Sequence, residues 1–138
     1  MKRITLAGAA AAALLLSARS TPTQPTLIDP TSLEGQTFRW ALGETSTGQT
    51  PMVVFGKDGR LSGFAGCNRI MGSWKAEGTG LSFLQVATTR MMCDADAMKT
   101  EEKFLGYLRD ATGAVATPAG VDFVNAEGKV LVNLEKVN

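Results

Sequence analysis

Cys67 and Cys93 are the side chains of this sequence best placed to do chemistry, and each lies in a short distinctive stretch. The first, Gly63 to Trp74, reads GFAGCNRIMGSW; the second, Thr88 to Met98, reads TTRMMCDADAM. Three chemistries are open to the pair. An even number of cysteines in an oxidising compartment forms disulfides. Two unpaired thiols would serve as small apolar fillers of a core. A reactive or metal-binding pair is the third. Zinc wants four ligands and the chain contains no histidine. Copper(I) would suit the soft thioethers of Met71, Met91, Met92 and Met98, although methionine at such spacings reads first as core filler. The expectation is a disulfide, with no metal and no cofactor. Closing a loop over the 26 positions between the cysteines stabilises by about 3–3.5 kcal/mol on a chain-entropy model.

The lack of histidine also removes the commonest general base and rules out Ser-His-Asp and Cys-His catalysis. Asp94, Glu101 and Glu102 sit near a helix start, where acids suit the dipole and solvent, so they do not read as a catalytic pair. No catalytic residue is expected. Gly63, Gly66 and Gly72 interrupt strand-like sequence, as glycine does at bulges, tight corners and close backbone approaches. Asn68 follows such a corner and reads as a turn residue, with a polar group aimed into a ligand pocket as the alternative. Trp40, Trp74, Phe104 and Tyr107 could face a ligand, but three of them are expected to fill the core.

Elements to carry these residues follow from periodicity. Phe38, Trp40 and Leu42 alternate as a strand, and MVVFGKDGRLSGFAG reads as a hairpin turning at Lys57–Gly59. IMGSWKAEGTGLSFLQ reads as a second pair turning at Glu77–Gly80, and VDFVNAEGKVLVNLEKV as a C-terminal hairpin. Asp94 or Asp96 can cap a helix from about Ala97 to Ala111, its apolar face Met98, Phe104, Leu105, Leu108 and Ala111, with Gly113 as its stop. The fold class is α+β: a small curled antiparallel sheet, partly barrel-like, closed by one α-helix and ending in a β-hairpin.

Residues 1–20 read as a signal peptide: Lys2 and Arg3, an apolar run from Ile4 to Leu16, then small residues. The run is too short to span a bilayer. The sequence Leu16-Ser17-Ala18 resembles the end of a lipoprotein signal, with Arg19 where the acylated cysteine would stand. Membrane attachment is therefore expected only if a lipid anchor is supplied. Residues 21–32 read as a flexible Ser/Thr/Pro tether and 33–138 as the domain. Loss of the first twenty residues removes three of the 14 basic residues and none of the 13 acidic ones, taking the formal charge from +1 to −2. Nothing in that balance favours nucleic acid as a partner.

The two cysteine stretches, in this order and at this separation, resemble the META domain family and, within it, the HslJ-like heat-shock proteins of bacterial envelopes. Gly63, Gly66, Cys67, Asn68, Gly72 and Trp74 carry the first half of the motif; Thr89, Met91 and Cys93 carry the second. The resemblance runs from about Leu33 to Val137. It implies a secreted or lipid-anchored domain linked to stress and to envelope or secretion functions, and it brings no catalytic residue. The expected function is a non-enzymatic periplasmic or envelope-associated binding or assembly module, its partner an envelope protein. The alternative is a pilotin-like carrier of an apolar small molecule, a lipid or acyl chain, between helix and sheet.

Overall fold

The computed structural model describes residues 25–138, with Gly8 before them. The expected signal peptide, Arg19 and the first tether residues otherwise lie outside the described part. Eight strands form one antiparallel sheet in the order β5-β4-β3-β2-β1-β8-β7-β6. They are β1 (Thr37–Arg39), β2 (Met52–Phe55), β3 (Arg60–Phe64), β4 (Arg69–Glu77), β5 (Gly80–Thr88), β6 (Gly113–Ala116), β7 (Gly120–Val124) and β8 (Val130–Val137). Helix α1 (Ala95–Asp110) connects β5 to β6. The sheet curls so far that the Leu81 N–H of β5 reaches the Thr112 carbonyl beside β6 at 3.0 Å. No ladder joins those two strands, so the barrel is not closed.

The three expected hairpins are present, and local sequence explains each. Asp58 and Gly59 take left-handed backbone (φ 58° and 73°) between β2 and β3, and Gly78 does so between β4 and β5. Asn125 Oδ1 accepts the N–H groups of Glu127 and Lys129 to close the last turn. The β1 strand ends earlier than the alternation predicts. At Trp40 the chain turns into a short 3-10 segment, Ala41–Gly43, because the indole lies where a side chain on Gly43 would stand. Leu42 is consequently 87% exposed. Strand β6 has no counterpart in the sequence reading; its Gly-Ala-Val-Ala segment becomes a strand by pairing with β7. Leu27 and Ile28, inside the segment read as a tether, extend the β6 side of the sheet through a Leu27–Val115 bridge and an Ile28 N–H to Ala114 C=O bond of 2.9 Å.

The concave face is filled by aromatic side chains. Phe55 lies at their centre, its ring 5.4 Å from that of Trp74, 5.9 Å from those of Phe38 and Phe83, and 6.2 Å from that of Phe123. Trp74 turns its polar edge to the Gly56 carbonyl, Nε1 donating at 3.0 Å. Helix α1 lays Ala97, Glu101, Phe104 and Leu108 against this face, and Trp40 stacks on Phe104 at 6.2 Å. Phe104 and Trp74 are buried, and Trp40 and Tyr107 pack on them from the margin, as core rather than as a ligand-facing set.

Truncating the central ring should be costly because no neighbour can collapse into its place. Phe55→Ala is expected to lower unfolding free energy by about 3–5 kcal/mol, read as a shift in denaturant midpoint at constant slope.

Candidate functional site

The β3–β4 connection, Ala65 to Asn68, meets the N-terminal half of α1, and the segment Thr89–Asp94 between β5 and α1 runs over both. This segment is called the strap below. Asp94 begins the helix by accepting the Ala97 N–H at 2.8 Å, as expected of a capping acid. Its other oxygen accepts from Ser46 Oγ at 2.6 Å. The Ser46 hydroxyl, and then the Ala97 N–H, hold the Asp94 carboxyl below its usual range.

At the centre is Glu101. Its Oε1 accepts the main-chain N–H groups of Asn68 (2.6 Å) and Cys67 (3.3 Å), and its Oε2 accepts from Asn68 Nδ2 at 2.9 Å. Glu101 is 6% exposed, which overturns its reading as a solvent-facing acid at a helix start. A signal was available. Ala97, Glu101, Phe104 and Leu108 recur at helical spacing along one face, so a charged residue on that stripe must find buried partners.

Asn68 joins all three elements. Besides donating to Glu101, its Nδ2 donates to the Met91 carbonyl at 3.2 Å. Its Oδ1 accepts from the Met91 N–H and from Thr89 Oγ1. Thr89 Oγ1 in turn accepts the Arg69 N–H at 3.0 Å. The side chain is buried and fully employed, so Asn68 is more than the turn residue expected of it, and it does not face a ligand pocket.

Cys67 and Cys93 form the expected disulfide, with Cα atoms 5.9 Å apart. It fastens the corner to the strap just beside the Asn68 hydrogen bonds. The glycine of the corner is Gly66. Its φ is 128°, and a Cβ there would stand 3.1 Å from Glu101 N and 3.2 Å from Ala97 O, pressed on the helix backbone. Gly63 lies against the Met52 carbonyl of β2. Gly72 lies at the register shift in the β4–β5 ladder, where a side chain would meet Leu84 and Val86 backbone. The structure thus brings Gly66, Cys67, Asn68, Thr89, Met91 and Cys93 together, while Gly63, Gly72 and Trp74 serve the sheet and its core.

The methionines depart from the sequence reading. Those of the described residues stand at the surface or half-buried, not in the core. Met52 and Met71 line a groove of about 830 Å³ on the convex face of the sheet. Gly48–Thr50, Ser62–Phe64, Arg69, Ile70 and Thr89 complete its lining, Ile70 from the core beneath. No cluster of His, Cys, Asp and Glu fit to hold a metal ion occurs among the described residues. No described helix is long and apolar enough to cross a membrane.

The META domain family model matches residues 30–138. Two solved structures share the fold. One is the NMR structure of a protein from Burkholderia xenovorans, with TM-score 0.59, 22% identity, and coverage of 88% of this chain and 97% of that one. The other is a second NMR structure, with TM-score 0.57, 22% identity, and coverage of 80% and 93%. A comparison with curated proteins found no match.

Two variants test this corner. Glu101→Gln puts an amide donor where only acceptors fit, and Asn68 cannot flip to help because Met91 and Thr89 hold its other end. A loss of about 1.5–3 kcal/mol is expected, measured by chemical denaturation; an unchanged midpoint would refute the account. Replacing Cys67 and Cys93 together by alanine is expected to cost about 3–3.5 kcal/mol, and thiol titration of the denatured, unreduced wild type should find no free thiol.

Proposed function

The chain belongs to the META domain family, and we propose that it acts without catalysis, as an envelope binding module whose recognition surface is the groove over β2, β3 and β4. The observation that carries this reading is the groove itself, about 830 Å³ and lined by Met52, Phe64, Ile70 and Met71, with Arg69 at its wall. That volume lies within the range of known ligand sites, roughly 300–1,000 Å³. Thioether side chains re-pack around differently shaped apolar groups, which suits a module that must accept segments of another protein. The non-enzymatic reading rests on the lack of histidine and on both cysteines being tied up in the disulfide.

The envelope and stress-linked, HslJ-like assignment rests on the order of the two motifs, the signal-like N-terminus and a disulfide suited to an oxidising compartment. The partner on this reading is an envelope protein, with membrane contact only through an added lipid anchor and no role for nucleic acid.

A second reading, the carrier, draws on a smaller cleft of about 340 Å³ between α1 and β5. Phe83, Val86 and Leu105 line it together with Thr88 and Arg109, a combination that suits an acyl chain with an acidic head. The concave face between helix and sheet is filled by aromatic side chains, which speaks for the module.

The two readings separate in titrations with an anilinonaphthalene sulfonate dye and with dodecanoate. On the module reading, Met71→Gln weakens dye binding about tenfold, the loss of one apolar contact, and Leu105→Gln leaves it intact. Dodecanoate binding that is lost in Leu105→Gln, with the dye indifferent to Met71→Gln, would transfer the function to the carrier.

A further inference from the structure

Methionine is ordinarily among the more buried residue types. Here Met71 is 51% exposed, Met91 60% and Met92 89%, while Met52 and Met98 are half-buried. The two cysteine sulfurs are already oxidised to a disulfide, so these thioethers are the reduced sulfur that the described surface offers to solvent. We propose that Met71, Met91 and Met92 are modification sites that each take oxygen from peroxide oxidants to give methionine sulfoxide.

The step balances without a further reagent. A sulfur lone pair attacks one oxygen of hydrogen peroxide, an S–O bond forms and the O–O bond breaks. The attacked oxygen's proton passes to the departing hydroxide, which leaves as water. The thioether loses two electrons and the peroxide gains them. Sulfoxide formation is reversible by reductases, which need the modified side chain to be reachable.

The surroundings let this happen without unfolding. Met91 is held by its main chain, whose N–H and C=O both bond to the Asn68 side chain, so polarity gained at its exposed sulfur does not enter the core. Met92 follows it on the strap, and Met71 projects from β4 opposite Ala87. Met71 also lines the groove, and a sulfoxide there makes its lining more polar. This last consequence, unlike the modification, rests on the groove being the recognition surface.

The test is timed exposure of the full chain to hydrogen peroxide, with peptide mapping by mass spectrometry and circular dichroism on the same samples. Met71, Met91 and Met92 should each gain one oxygen several-fold faster than Met52 and Met98, with the folded spectrum kept, and methionine sulfoxide reductases should reverse the gain. The triple variant Met71→Leu, Met91→Leu, Met92→Leu should lose the fast uptake mapped to residues 25–138. Equal rates at Met52 and Met98, loss of the folded spectrum with the first oxygens, or fast uptake surviving in the triple variant would overturn the proposal.

Discussion

A buried carboxylate that can only accept, set against N–H groups that can only donate, fixes how the helix and sheet of this protein meet. Glu101 takes up the main-chain donors of the β3–β4 corner and the amide of Asn68. In a low-dielectric setting each of those groups would be costly to leave unpaired. Helix α1 therefore cannot slide along the concave face without stranding several polar groups at once. Gly66 permits the approach by keeping a side chain out of the space between the corner and the helix backbone. The disulfide repeats covalently, between corner and strap, what Asn68 does there with hydrogen bonds.

How much of this was legible in the sequence depended on how far each signal reached. Hairpins are local, and the turns at Lys57–Gly59, Glu77–Gly80 and Asn125–Gly128 carry their own backbone chemistry, so they could be read directly. The cysteine pairing was legible because residue type and count suffice for it. Glu101 was misread since its type suggests solvent, whereas its position on the Ala97–Leu108 stripe is what decides its burial. The methionines failed in the opposite sense, their type suggesting a core in which the sheet does not place them. Strand β6 was missed because small residues become a strand only when β7 offers a partner. The strand through Trp40 was read too long because alternation cannot reveal an indole folding back over Gly43.

The same corner also shapes the convex face. Thr89, which bonds both Asn68 and the Arg69 backbone, lines the groove. Gly48–Thr50, which also line it, belong to the loop whose Ser46 bonds the helix cap Asp94. Thr45 braces that loop from inside, its hydroxyl donating to the Gln49 carbonyl at 3.1 Å. Both lining segments are thus tied to the N-terminal half of one helix, Thr89 through Asn68 and Glu101, the loop through Asp94. A partner entering such a groove meets side chains that can re-pack on a backbone that is already set, which limits the ordering cost of binding.

The disulfide also closes a covalent ring around a complete structural unit. Strands β4 and β5 and the turn between them lie wholly between Cys67 and Cys93. A protease that cuts at the tip of that hairpin, near Gly78, severs the backbone but releases nothing. The two pieces stay joined through sulfur, and each retains its place in the sheet on either side of the cut. The nicked protein would keep its native mass on a non-reducing gel, gaining only one water, and would separate into two chains only after reduction.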